Sequence, residues 1–185
     1  MRVGATALFS LRVLLLLAAG SSRAQDATPS EYQLKAAFLF NFAKFVEWPP
    51  DSSGESTAPF VIGILGSSPF GDDLQQTIQG KSINNRPLIT REVHSLTEAT
   101  NCQILFISTS ERKRLPEIFK TLGDAHVLTV GENDQFIRAG GMINFVMEEQ
   151  KIRFQINNDA AKRVGLKISS KLLGLAVPPP GRVRG

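Results

Sequence analysis

Residues 140–176, GGMINFVMEEQKIRFQINNDAAKRVGLKISSKLLGLA, state a hairpin, a helix and a closing apolar turn. Ile143, Phe145 and Met147 put apolar side chains on one face and Val146 puts one on the other, which predicts an interior strand over 143–147. Residues 151–156 alternate Ile152, Phe154 and Ile156 against Lys151, Arg153 and Gln155, the pattern of a strand with one covered face. Glu148, Glu149 and Gln150 close the two runs into an antiparallel pair, and Lys151 and Arg153 blunt its outer edge against stray pairing. Asn157 or Asn158 then caps a helix over 159–164, and Gly165 suits the left-handed residue after a helix end.

Working back from the hairpin, strands alternate with helices. FVIGIL at 60–65 and CQILFI at 102–107 are apolar runs of the kind buried on both faces of a parallel sheet. A more weakly patterned strand is expected over 87–93 and a further strand over 125–130, with helices over 72–78 and 110–122 and a short turn or helix over 135–138. Pro116 falls too deep in the 110–122 helix, so its start should be irregular. This alternation predicts an α/β fold: a three-layer α/β/α domain whose mostly parallel sheet of about six strands ends in the antiparallel hairpin.

Ahead of the first strand, Thr28-Pro29-Ser30-Glu31 reads as a helix cap with proline at the first helical position. Leu34, Phe38, Leu39, Phe42, Phe45 and Val46 then share one broad arc, with Lys35 inside it, and Pro49-Pro50 stop the helix. Phe40 and Trp48 fall on the polar side with Asn41, Lys44 and Glu47. Two readings stand: these aromatics are core under a second layer, or they form a partly exposed patch, Phe40, Asn41, Lys44, Glu47 and Trp48, that meets another protein.

Residues 1–24 read as a secretory signal peptide, with basic Arg2, an apolar run too short to span a bilayer, and small residues at 22 and 24. One domain is then expected over 25–176, with 177–185 a flexible Pro/Arg tail. Cleavage removes three arginines and no acids, so 21 basic residues become 18 against 17 acidic. A near-neutral domain lacks the positive footprint that nucleic acid requires.

The search for chemistry returns little. GILGSSPFG at 63–71 follows a strand, but Asp72 and Asp73 stand where a phosphate loop needs lysine, so a turn whose acids cap a helix is expected. His94 and His126 have no metal-ligand spacing, and the acidic turn at Glu132, Asn133 and Asp134 has too few oxygens for calcium. No catalytic residue, metal or cofactor is therefore assigned. Cys102 is the one cysteine and opens an apolar strand, where a small hydrophobe belongs.

Residues 140–176 resemble the closing signature of the YfiR family of bacterial periplasmic proteins, and LKAAFLFNFAKFVEWP at 34–49 resembles its opening signature. The resemblance implies a non-enzymatic periplasmic regulator, a repressor and often a dimer. It would bind the periplasmic sensory domain of an inner-membrane diguanylate cyclase and hold it inactive, lowering cyclic-di-GMP and biofilm formation. An outer-membrane lipoprotein draws such members away. Known members carry several cysteines in disulfides, and the lone Cys102 departs from that pattern. The alternatives are another membrane sensor, such as a kinase, as receptor, a hydrolase with an unrecognised site, or a small-molecule binding protein. The last would use the carboxyl ends of the parallel strands near Gly66, Ser67, Ser108, Thr109 and Gly131.

Overall fold

The computed structural model describes residues 29–50 and 58–179; the expected signal peptide, Thr28 and most of the expected tail lie outside the described residues. The elements begin with α1 (Glu31–Phe45), β1 (Val46–Glu47), β2 (Phe60–Leu65), α2 (Asp73–Ile78), β3 (Ser82–Ile83), β4 (Arg86–Val93) and α3 (Leu96–Ala99). Next come β5 (Ile104–Ile107), a 3-10 turn (Thr109–Arg114), α4 (Leu115–Leu122), β6 (Leu128–Gly131) and α5 (Phe136–Ala139). The chain closes with β7 (Ile143–Glu148), β8 (Lys151–Ile156), α6 (Asn158–Arg163), β9 (Lys167–Ile168) and α7 (Ser170–Leu175).

Seven strands make one sheet in the order β3-β4-β2-β5-β6-β7-β8, and β1 pairs antiparallel with β9 apart from it. β4, β2, β5, β6 and β7 run parallel; β3 and β8 are antiparallel edges. The strand beyond the expected six is β3, joined to β4 through Asn84 and Asn85, both at positive φ (49° and 63°), as a tight hairpin turn demands. Glu149 and Gln150 (φ 49° and 60°) turn β7 into β8 in the same way.

Strict alternation along the central strands divides the core in two. Phe60, Ile62, Ile64, Ile104, Phe106, Leu128 and Val130 face the layer of α1, α2, α6 and α7. Val61, Leu65, Leu105 and Ile107 face α3, α4 and α5. Helices thus cover both faces, and the apolar runs are continuous because each strand buries both sides. The 110–122 helix does start irregularly, as a 3-10 turn, with Pro116 in the first turn of α4. Asn157 is the cap of α6, and Gly165 takes φ 78° after it.

Two boundaries of α1 differ from the sequence reading. Its cap is Ser30, whose Oγ accepts from the Gln33 N–H at 3.1 Å while Gln33 Oε1 accepts from the Ser30 N–H at 2.9 Å. Pro29 therefore precedes the helix instead of opening it, the reciprocal pair closing two residues later than a box of Thr28 and Glu31 would. The helix also stops at Phe45, four residues before Pro49: Val46 and Glu47 turn extended and pair with Ile168 and Lys167. Glu47 and Trp48 are consequently not helical. Val177, placed by sequence in the tail, bridges Gln155 on the outer side of β8 and donates to Phe154 O at 2.9 Å.

Cys102 is buried beside Gly63, and burial pushes its thiol pKa up. The native protein is expected to leave a thiol reagent unreacted until it unfolds, and Cys102→Ser to cost about 1 kcal/mol. Rapid labelling of folded protein would show that the thiol is reached from solvent.

Candidate functional site

The first helix carries the patch the sequence singles out. Lys44 and Glu47 are exposed, whereas Phe40, Asn41 and Trp48 are half-buried. Phe40 packs partly against the core, and its ring is flanked by Lys81 Nζ at 4.3 Å and Lys44 Nζ at 5.5 Å from the centroid. Lys81 comes from the turn after α2, so this aromatic of α1 lies between two cations from different segments. Trp48 stands perpendicular on Phe60 with ring centroids 5.0 Å apart. Its Nε1 is buried without a hydrogen-bond partner among the described residues, a defect of about 1–3 kcal/mol unless something covers it with an acceptor. Both aromatics therefore contribute to packing while remaining partly exposed.

The opposite end of α1 holds a charge cluster that the sequence reading missed. Lys35 is 6% exposed and its Nζ lies 2.5 Å from both Glu31 Oε1 and Glu132 Oε2. Tyr32 donates to Glu132 Oε1 at 3.4 Å, and the ammonium sits 4.6 Å from the Tyr32 centroid. Burial works against the charged lysine, but the hydrogen bonds of Glu132 and Glu31 outweigh it, and the Lys35 pKa is raised. The Tyr32 phenol is also raised, by burial first and by the Glu132 charge second. The acidic turn is thus a clamp: Glu132 holds α1 down over the carboxyl end of β6. Asn133 N–H donates to buried Asn144 Oδ1 at 3.0 Å, fixing the turn to β7. The only sequence signal for this cluster is a lysine inside an apolar arc.

The strand ends named for the ligand alternative are only partly open. The strand order reverses direction between β2 and β5, where doubly wound sheets place ligands. There Ser67 N–H donates to Ser110 Oγ at 3.1 Å, and a Cβ on Gly66 (φ 88°) would lie 2.4 Å from that oxygen. The crevice at this point is filled by the protein itself. Ser108 is buried as the cap of the 3-10 turn, and Gly131 is pressed against the Phe136 ring. A cleft of about 820 Å³ opens one strand further over, where Thr109, Arg112 and Lys113 face Glu132, Asn133 and Asp134. Of the five residues expected there, Thr109 alone lines it. Asp72, expected to cap α2, makes no side-chain cap bond; Asp73 instead accepts from Ser30 Oγ at 3.1 Å and ties α2 to α1.

The histidines do not converge on a site: His94 is exposed, and His126 Nδ1 donates to Val164 O at 2.6 Å. Among the described residues no helix is long and apolar enough to cross a membrane.

A conserved domain protein from Vibrio cholerae O1 biovar El Tor str. N16961 superposes with TM-score 0.55 at 10% identity, over 80% of this chain and 60% of that one. The likeness is one of fold, and this chain spans about 60% of that protein's length. The ABC domain from Streptococcus pneumonia, solved in complex with L-Trp, gives TM-score 0.46 at 12% identity over 64% of this chain and 54% of that one, too low to carry an argument. A family model described as YfiR/HmsC-like matches residues 32–177, taking in both signature blocks and every element from α1 to α7. The chain belongs to the YfiR/HmsC-like family.

Proposed function

We propose that this protein is a periplasmic regulator that binds the periplasmic sensory domain of an inner-membrane diguanylate cyclase, or a related sensor, and holds it inactive. The observation that carries the reading is the family match across residues 32–177. Such a repressor needs only a higher affinity for the inactive receptor state; no reacting group has to be assembled. Export by the 1–24 signal peptide, a homodimeric state and removal by an outer-membrane lipoprotein complete the proposal.

The receptor face we assign is Phe40, Asn41, Lys44, Glu47 and Trp48. Its partly exposed aromatics, with Lys44 and Glu47 beside them, fit the mix found at interface hot spots. Because Phe40 and Trp48 also pack inward, the discriminating changes are at the exposed members. Lys44→Glu with Glu47→Gln, which avoids setting a lysine against Lys167 across the β1–β9 pair, is expected to keep stability within about 0.5 kcal/mol and to weaken capture of the receptor's periplasmic domain. Undiminished capture by this variant would move the face elsewhere. Deletion of the gene is expected to raise cellular cyclic-di-GMP and surface attachment, and unchanged nucleotide levels would remove the cyclase as receptor. The second reading, a small-molecule binding protein, is favoured by the open cleft beside Thr109 at the carboxyl ends of β5 and β6.

A further inference from the structure

The crossover from β6 to β7, residues 132–142, has room for just one turn of helix, α5. That turn is pinned at the carboxyl end of the strands, its Phe136 ring wedged between Gly131 and Gly141. The start of β6 and the approach to β7 are consequently left without a helix of their own on this face. A cavity of about 330 Å³ opens at these amino ends, between the end of α4 on this face and α6 on the opposite one. Its volume is at the lower end of the roughly 300–1,000 Å³ that small-molecule sites occupy.

The lining is that of an amphipathic site. Buried Thr129, Met142 and Val127 and half-buried Phe119 are among its lining residues. Thr129 Oγ1 accepts from the Met142 N–H at 3.1 Å and, among the described residues, donates to no acceptor. Lys120, Asp124 and Arg163 supply the charge, and among the described residues none of the three is held in an ion pair. Lys120 and Arg163 each sit in the last turn of a helix, where a cation suits the dipole. That explains a cation on each helix, and their convergence on one cavity leaves it with an excess of one positive charge over Asp124.

We propose that this cavity binds a small molecule with an apolar body and a single carboxylate, the body against Phe119 and Val127 and the carboxylate toward Lys120 and Arg163. The site is separate from the receptor face and does not depend on that assignment. The test is titration of the isotopically labelled protein with octanoate, with octanol and inorganic phosphate as the apolar and anionic halves, followed by the amide resonances of Phe119, Gly123, Thr129 and Gly140. Octanoate is expected to give saturable shifts there, at least tenfold tighter than octanol, with phosphate giving none. Lys120→Gln with Arg163→Gln, both at exposed positions, is expected to weaken octanoate about tenfold and leave octanol unchanged. Ala139→Leu, which narrows the cavity, is expected to remove both. Absence of saturable shifts at these amides, or octanoate binding indifferent to the double glutamine variant, would overturn the proposal even if Ala139→Leu failed to fold.

Discussion

Glu132→Ala is expected to lower stability by about 3 kcal/mol, the lower end of the cost of breaking a buried ion pair. The variant strips Lys35 of its more buried partner and leaves it with Glu31, whose side chain is 46% exposed and a poorer substitute for lost water. In a domain of this size the loss corresponds to roughly 6–12 °C in melting temperature. Lys35→Met with Glu132→Gln removes the charge while keeping an acceptor for Tyr32, and is expected to recover most of the loss. The pH dependence has a definite sign. Lys35 and Tyr32 both have folded pKa values above their unfolded ones, so their contribution is complete below about pH 10, the unfolded values of both groups. It is lost as pH climbs through the folded values, and the double variant should lose less stability in that window. A Glu132→Ala melt within 1 kcal/mol of the parent would show that α1 is held by its aromatic face alone.

Phe42→Ala is expected to cost more, about 3–5 kcal/mol. Phe42 is fully buried, stacked on Phe145 at 5.8 Å and edge-on to Phe154 at 5.2 Å, the pair that faces α1 from the β7–β8 hairpin. Phe38 reaches the same two rings at 6.0 and 5.5 Å but is half-buried, so Phe38→Ala should cost clearly less. Denaturant melts of the two variants order them, and equal losses would mean that the cluster is not centred on Phe42.

The hairpin, α6 and the central strands were legible because their signals are local: a period of two, a capping asparagine, and apolar runs between breakers. The aromatic face of α1 was legible for the same reason. The β1–β9 pairing was not, since two-residue strands more than a hundred positions apart have no period to read. It is this pairing that ends the helix at Phe45 and takes Glu47 and Trp48 off it. Lys35 looked like an intruder in an apolar arc because its partner is 97 positions away in sequence. The Asn84-Asn85 turn carries a readable signal, two adjacent residues tolerant of positive φ, but the two-residue strand before it has no period to mark it. At the candidate site the residue types were visible. What was hidden was their mixed burial, which depends on Phe60 beneath Trp48 and Lys81 over Phe40.

The first helix finds its partners at the far end of the chain: Phe145 and Phe154 beneath it, Ile168 beside Val46, and Ser169 donating to Phe45 O at 2.9 Å. A chain that emerges amino end first therefore presents α1 long before anything exists to cover its phenylalanines. Strands β2 to β6 can begin to align while that helix waits, but the α1 layer closes only once residue 169 has appeared. Such late, long-range closure slows folding and prolongs the exposure of an adhesive surface. Until then α1 is an apolar segment to which a holding chaperone would bind.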